Sequence, residues 1–423
     1  MLELIKGVTL HALGTCDDRR RSAGRIGLLA AALCASAVPT WAATFYVRTG
    51  GNDAQNGRSA ATAFASIRRA ASLAGGGDTV VVGPGRYAEG SITPIGNGRP
   101  GEVMRFLADR EGSVTGDPAG DVLLDASGFE FGFRISSRPW VVVNGFTVMN
   151  ANEEGIAVKS GSDHSVVANC IVLSNHGRGV WVRDSPSVIV FNNLIYANGG
   201  TGIDFAGEGD GSSGGVAVGN TVYGNALDGI RVEGLVASRR VTVVQNVIAQ
   251  NLGRGINLKT LSVPGFVGQW NLNIDGYGSD ANKAAFDFDG SPLLVDPTGL
   301  DQVLGGPDRG DDDFHLRQIL AGQTEQSSAV DGSPFTARWF GLTRSSTETG
   351  GTPDSAQADI GFHYGNETDL VSPFKKAVGK KIAQLRGRAL TCQKLGSRGA
   401  SRCVNSLHRL RRLCGQLAEK LCG

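Results

Sequence analysis

Short runs of alternating apolar and polar residues recur about every 25 positions through the middle of the chain. Each unit holds an asparagine, then a glycine followed by an apolar residue, and then an alternating stretch such as IAVK, VWVR or IRVE. A period of two predicts a half-buried strand, and two further apolar stretches in each unit predict a second and a shorter third strand. The asparagines that close successive units are Asn150, Asn175, Asn198, Asn225 and Asn251. The aligned glycines are Gly155, Gly179, Gly202, Gly229 and Gly255.

Three short strands and three turns in each repeat predict a parallel β-helix. Its stacked coils would bring equivalent positions above one another about 4.8 Å apart, so the repeated asparagines are expected to form an amide ladder. The glycine before each first strand is expected to adopt a positive φ at a tight corner. Cys170 falls in an inward column with Asn193, Asn220 and Asn246, and we expect it to be a buried free thiol without chemistry.

Composition excludes several classes of protein. Glycine, at 62 of 423 residues, is about twice as frequent as usual, but there is no collagen period. The 41% hydrophobic content and the net charge of +1 exclude a disordered chain. That net charge hides an asymmetry, because residues 374–423 hold 13 Lys or Arg and one acid while residues 43–373 are acidic by 13 charges.

The two ends of the chain differ from the repeats and predict three domains. We predict a signal peptide at 1–42, a β-helix domain at 43–370 and a basic, cysteine-containing helical tail at 371–423. The leader is basic and then apolar over 26–38, and small residues at 40 and 42 suit a cleavage site. A secreted protein, extracellular or in the cell envelope, is therefore expected. No apolar run reaches the roughly 18 residues of a membrane span, and we expect a monomer.

The basic tail is predicted to be a small helical hairpin. Helical periodicity at 375–395 and 401–421 supports this, and such a hairpin buries little core and needs staples. Its four cysteines, read as two disulfides, are Cys392, Cys403, Cys414 and Cys422. The first two flank the turn and are predicted to pair; the last two could then pair only if the second helix breaks, so other pairings stay open. Its basic runs lack interleaved aromatic residues, so nucleic acid is not an expected partner.

Segments at both ends of the predicted β-helix resemble a known family. The segment FYVRTGGNDAQNG onward, at 45–87, is similar to the N-terminal module of secreted bacterial right-handed β-helix proteins of the pectate-lyase-like superfamily. SPLLVDP, DFHLRQ, AVDGSP and ADIGFHY, between 291 and 364, resemble the closing segments of that family. The resemblance implies an all-β, right-handed parallel β-helix with an N-terminal capping helix at about 64–74. The family mixes lyases, hydrolases, epimerases and proteins without a known reaction.

The resemblance also implies that carbohydrate binds along the outer face of the first strand of each coil. The outward positions there are rich in cations and include one tryptophan, which could stack on a sugar ring. This suits an acidic polysaccharide such as a uronate polymer, although a solvated strand face would be charged as well. The predicted substrate-binding residues are Arg134, Lys159, Trp181, Arg183 and Asn257.

Three kinds of function are open for this face. The leading hypothesis is β-elimination, with Lys259 or Arg231 as the base and with Arg, or calcium held by Asp204 and Glu233, neutralising a uronate carboxylate. Two carboxylates make a poor calcium site, which needs six to eight oxygens. Glycoside hydrolysis by Asp204 and Glu233 is an alternative, because standard strand spacing puts their Cα atoms about 8 Å apart. The other alternative is a non-catalytic polysaccharide-binding or surface-structural protein.

Two acidic loops are interpreted as turns, since Asp and Gly are the residues that tight turns require. One holds Glu208 and Asp210. The other holds Asp275, Asp280, Asp287 and Asp289.

Overall fold

The computed structural model describes residues 42–207, 211–233, 241–259, 267–278, 287–288, 290–306, 309–354 and 357–365. The predicted signal peptide, the helical tail with its four cysteines, and the loop residues Glu208, Asp210, Asp280 and Asp289 lie outside them. Within the described part, the strands form three parallel sheets, each gaining one strand per coil. The predicted all-β, right-handed parallel β-helix is confirmed.

The three sheets, named A, B and C, have the following strands. Sheet A contains β1 (Thr44–Val47), β2 (Thr79–Val82), β4 (Met104–Ala108), β7 (Val141–Asn144), β10 (Val166–Ala168), β13 (Ile189–Phe191), β16 (Val216–Val218), β19 (Thr242–Val244) and β22 (Val267–Gln269). Sheet B contains β3 (Gly85–Tyr87), β5 (Val122–Asp125), β8 (Thr147–Met149), β11 (Ile171–Leu173), β14 (Leu194–Tyr196), β17 (Thr221–Tyr223), β20 (Val247–Ala249) and β23 (Leu272–Asn273). Sheet C contains β6 (Phe133–Ser136), β9 (Ile156–Lys159), β12 (Val180–Arg183), β15 (Ile203–Ala206), β18 (Ile230–Glu233) and β21 (Ile256–Lys259).

Helices are few and short in the described residues. The α-helices are α1 (Ile67–Ala71) and α2 (Ala337–Phe340), and an antiparallel pair joins β24 (Leu294–Asp296) to β25 (Asp313–Leu316). Helix α1 lies within the predicted range 64–74 but is shorter; the Ser66 side chain caps it, and Ile67 is buried against the first coils. None of the helices in the described residues has the length and hydrophobicity of a membrane span.

Side-chain amides stack in two continuous ladders along the interior, of which the first was predicted and the second was not. In the first, each amide nitrogen donates to the next oxygen at 2.7 to 2.9 Å. Its members are Asn175, Asn198, Asn225, Asn251 and Asp275. The second ladder has distances of 2.9 to 3.3 Å. Its members are Asn193, Asn220, Asn246, Asn271 and Asp287. Both ladders therefore end on an aspartate acceptor in the acidic loop that the sequence analysis interpreted as a turn.

The first ladder starts one coil later than predicted. Ala151, not Asn150, occupies the equivalent position, because the Ala151 N–H donates to Asn175 Oδ1 at 3.0 Å. Asn150 has a φ of 63° and donates its amide to Asp125 Oδ1 at 3.0 Å instead. The prediction that Asn150 belongs to the ladder was thus wrong by one residue. Cys170 is a buried free thiol, as predicted, and precedes Asn193 in the second ladder, since its N–H donates to Asn193 Oδ1. Burial raises the pKa of this thiol to about 11.

The repeated glycines serve close packing, not a left-handed backbone. The expectation of a positive φ was wrong for all five aligned glycines, and residues such as Ser160 and Asn192 adopt positive φ at the corners instead. A Cβ on Gly179 would lie 2.4 Å from Ile195 Cγ2 and 2.8 Å from the carbonyl oxygen of Gly202 in the next coil. The coils therefore stack too closely at this point for any side chain.

We expect Asn198→Ala to lower the free energy of unfolding by about 1–3 kcal/mol, because buried ladder groups lose their partners. The Asn198 amide donates to Asn225 Oδ1 and to the carbonyl oxygen of Val172, and its oxygen accepts from Asn175. Urea denaturation measures this change, with the exposed Asn97→Ala as the control. Equal stability of the two variants would mean that the ladder does not stabilise the coils.

Candidate functional site

Sheet C is the sheet whose outer face carries charged side chains. Over the later coils, the outer faces of sheets A and B are mainly apolar and are covered by the segment after 290: Phe191 packs near Phe340, and Tyr196 packs on Phe314 with ring centroids 4.5 Å apart. The outer face of sheet C instead includes the exposed side chains of Arg134, Arg183, Glu233 and Lys259. Among the described residues, the segment after 290 thus packs on sheets A and B and not on the charged face of sheet C.

Strand register places the predicted site residues in two neighbouring columns. The first column runs through Arg134, Ala157, Trp181, Asp204, Arg231 and Asn257. The second includes Ser136, Lys159, Arg183 and Ala206, and further along Glu233 lies opposite Lys259. All nine predicted site residues therefore lie on the same sheet, which is formed by the first strand of each coil.

Asp204 lies beneath two arginines and is not solvated. Its side chain has 0% exposure. Arg231 donates to it from Nε at 2.9 Å and from Nη2 at 2.5 Å, and Arg178 donates from Nε at 2.6 Å. Both carboxylate oxygens thus accept hydrogen bonds from arginines. Asp204 lies in the outward column, as predicted, but the two arginine side chains cover it, so it is not available to a substrate. Two guanidinium groups would repel a metal ion at this position, so these residues do not fit a calcium site.

No group of three or more His, Cys, Asp or Glu side chains suitable for a metal ion occurs among the described residues. Glu233 is the other carboxylate predicted to hold calcium. It is 47% exposed and lies 3.6 Å from Arg231 Nε.

The environment of Arg231 opposes a role as a base. A base in β-elimination must lose its proton near neutral pH, which for arginine requires a strongly lowered pKa. The hydrogen bonds to Asp204 instead raise the pKa of Arg231, outweighing the effect of burial. Arg231 therefore stays charged and serves to hold Asp204. Of the two predicted bases, Lys259 is the one whose side chain is exposed.

Glu154 and Arg178 belong to the site, and the sequence analysis missed them. Arg178 Nη1 donates to Glu154 Oε1 at 2.8 Å, so Arg178 bridges Glu154 and Asp204. Burial raises the pKa of Glu154, although its bond to Arg178 acts in the opposite direction. The two residues stand directly before the aligned glycines Gly155 and Gly179. Opposite charges at equivalent positions of consecutive coils were the signal that could have identified them.

Trp181 is half-buried and surrounded by cations. Lys159 Nζ lies 5.3 Å from its ring centroid, and the guanidinium carbons of Arg178 and Arg183 lie 5.0 and 5.5 Å away. Such distances are within the range of cation–π attraction. Trp181 is therefore a platform for cations, and the predicted stacking of its ring on a sugar has to compete with them.

Phe131 extends this arrangement toward the preceding coil. Lys159 Nζ is 4.8 Å from the Phe131 ring centroid, and the Arg134 guanidinium carbon is 5.5 Å from it. Arg134, Lys159 and Arg183 thus form a row of cations held over two aromatic rings, which we call the cation row. Asn257 lies apart from it, and its amide donates to Asp228 Oδ2 at 2.9 Å.

Comparison with known proteins concerns the fold. Residues 131–278 match the family model described as "Right handed beta helix region". Pectate lyase Pel9A has 16% identity and a TM-score of 0.43, over 66% of this chain and 90% of that chain. XylC, solved with xylose, has 11% identity and a TM-score of 0.43, over 55% of this chain and 66% of that chain. An alginate lyase from Paenibacillus sp. has 17% identity and a TM-score of 0.33, over 56% of this chain and 99% of that chain.

None of these likenesses is close enough for the activity in its name to pass to this chain. No curated protein sequence matches the chain. The three stacked sheets, the amide ladders and the match over residues 131–278 identify the chain as a right-handed parallel β-helix repeat protein.

Proposed function

We propose that the outer face of sheet C binds an acidic polysaccharide and that the cation row carries this binding. The observation that supports the proposal is the placement of Arg134, Lys159 and Arg183 over Phe131 and Trp181. Lys159 and Arg183 lie directly opposite each other on strands about 4.8 Å apart, and Arg134 lies one coil before Lys159 in the neighbouring column. A linear polymer with repeated carboxylates can contact more than one of them, which adds affinity through several weak contacts.

Charge on this face divides into a compensated part and an available part. Glu154, Arg178, Asp204 and Arg231 are linked by ion pairs and sum to zero. Arg183 is 48% exposed, and its ion pair, to the exposed Asp184, is 3.3 Å long. Exposed pairs of this kind contribute little, so an anionic ligand can replace Asp184 at low cost. The cation row is therefore the available charge.

A lyase reaction on the same polymer is the second candidate. Lys259 favours it, because this exposed amine lies on the same face, in register with Glu233. Lys259 would take the C5 proton, but Arg183, the nearest cation of the row, lies three coils away, about 14 Å by standard strand spacing. That is too far to neutralise the carboxylate attached to the same C5, so binding alone is the leading proposal. Hydrolysis by Asp204 and Glu233 is the less favoured alternative, because both oxygens of Asp204 accept from arginines and cannot reach a substrate.

The proposal is tested by the affinity for a uronate polymer. We expect Arg183→Ala to weaken binding about 10-fold, because a charge-assisted hydrogen bond is lost. Arg338→Ala removes an equal charge from an exposed site on α2 and is the matched control. Titration calorimetry at two salt concentrations measures both variants. If the two bind the polymer as tightly as the unmodified protein, sheet C is not the binding face.

Trp181 should act through the cations it holds. We expect Trp181→Ala to weaken binding of the uronate polymer about 5- to 10-fold, the equivalent of two cation–π contacts. Trp181→Phe keeps an aromatic ring and should stay within about threefold of the unmodified protein. Calorimetric titration gives the affinities, and thermal unfolding shows that both variants fold. Weakening of equal size in both would instead mean that the indole N–H, which both changes remove, contributes to binding and that the aromatic ring does not.

A further inference from the structure

Three buried polar atoms around Arg178 have no hydrogen-bond partner in the described part of the chain. They are Glu154 Oε2, Trp181 Nε1 and Thr201 Oγ1. Glu154 and Thr201 are buried residues, with 5% and 1% exposure. Unpaired polar atoms are unusual in an interior, because each loses its hydration without compensation. Three such atoms on three consecutive coils, within about two strand spacings or 10 Å, point to a ligand that completes them.

The fold brings these atoms together from three consecutive coils. Glu154, Arg178 and Thr201 each precede an aligned glycine, and the N–H of Gly179 donates to the Thr201 carbonyl at 3.1 Å. Arg178 contacts Glu154 directly, and its guanidinium carbon is 5.0 Å from the Trp181 ring centroid. Arg178 is 31% exposed and is thus the member of the group nearest to solvent.

The chemistry of the three atoms selects a neutral, hydroxyl-bearing ligand. A carboxylate oxygen accepts, an indole N–H donates, and a hydroxyl does both. Hydroxyls along a sugar chain match this mixture, since each can donate and accept. A ligand carboxylate would meet the Glu154 carboxyl group and be repelled. The ion pairs among Glu154, Arg178, Asp204 and Arg231 sum to zero, so these residues add no net positive charge to that of the cation row.

We infer that Glu154, Trp181 Nε1 and Thr201 form a hydroxyl-recognition subsite that binds ring hydroxyls of the polysaccharide when Arg178 swings away from Glu154. This inference rests on the proposed function and adds selectivity to it. The cation row contacts the carboxylates of the polymer, and this subsite reads whether neighbouring hydroxyls are free. The protein would then prefer a uronate polymer with free hydroxyls over the same polymer carrying O-acetyl groups.

The test compares one uronate polymer before and after O-acetylation, which blocks hydroxyls without changing the carboxylates. We expect the unmodified protein to bind the free polymer at least fivefold more tightly than the acetylated one. Thr201→Val, which keeps the side-chain shape, should lose most of that preference, as should Glu154→Gln. Thr343→Val, at an exposed threonine in the segment after 290, is the control and should keep it.

The possible outcomes separate this inference from the proposed function. If Arg183→Ala weakens binding but acetylation and Thr201→Val have no effect, the hydroxyl subsite is refuted and the cation row stands. If Arg183→Ala has no effect either, the proposed function is refuted too. Should Glu154→Gln fail to fold, Thr201→Val still decides, because it removes an unpaired hydroxyl and should leave the protein at least as stable.

Discussion

Asp204→Ala is expected to lower the free energy of unfolding by about 3–5 kcal/mol, the usual cost of removing one partner of a buried ion pair. The change leaves the guanidinium groups of Arg178 and Arg231 beside each other without their shared carboxylate. It also removes the group that raises the pKa of Arg231. Chemical denaturation measures the loss.

The matched control is Glu233→Gln, which affects an exposed carboxylate of the same cluster. Its contact with Arg231 is 3.6 Å long, so its removal should cost less than about 1 kcal/mol. Asp204→Asn adds a second comparison, since it keeps the size of the side chain and removes the charge. If Asp204→Ala unfolds at the same denaturant concentration as Glu233→Gln, Asp204 is not structural and its catalytic assignment should be reconsidered.

Gly202→Ala is expected to lower the free energy of unfolding by about 3 kcal/mol, the upper part of the range for overpacking. The added Cβ would lie 2.4 Å from Val222 Cγ1, 2.8 Å from the Gly229 carbonyl oxygen and 3.0 Å from Asn225 Nδ2. Two of these atoms belong to the backbone and the amide ladder of the next coil, so neither can move without disturbing the stack.

Gly310→Ala is the control for this change, because a Cβ there meets nothing within 4 Å and its φ is not in the left-handed region. It should change the stability by no more than about 0.5 kcal/mol. Thermal unfolding compares the two variants. A Gly202→Ala protein that unfolds together with Gly310→Ala would contradict the explanation that the glycines are required for space.

The periodic part of the molecule could be predicted from sequence, because a repeat constrains many positions at once. The period of two fixed which residues of β12 and β15 face outward, and the 23–27-residue spacing fixed which of them are neighbours. The register at Asn150 failed because the ladder position, four residues before the aligned glycine, is occupied by Ala151 in that coil, and the asparagine beside it fits the pattern almost as well. The glycines were misinterpreted because sequence records the absence of a side chain without showing whether φ or space requires it.

The surroundings of the site could not be predicted from the alternation of inward and outward residues in sheet C. The outward direction of Asp204 was correct, but its burial depends on Arg178 and Arg231, whose long side chains fold back over it. Such conformations depend on neighbours from three coils. The segment after 290 has no repeat, so nothing in its pattern showed that its described residues pack on sheets A and B and not on the charged face of sheet C.

The most direct measurement compares the affinity of the protein for a uronate polymer with its affinity for the same polymer after the carboxylates are reduced to alcohols. The absorbance of unsaturated products is followed in parallel. Reduction removes the charge and keeps the backbone of the polymer. We predict that the acidic polymer binds at least 10-fold more tightly, that added salt removes most of the difference, and that any unsaturated product depends on Lys259. Equal affinity for the acidic and the reduced polymer would contradict the assignment of the sheet C face as an acidic-polysaccharide site.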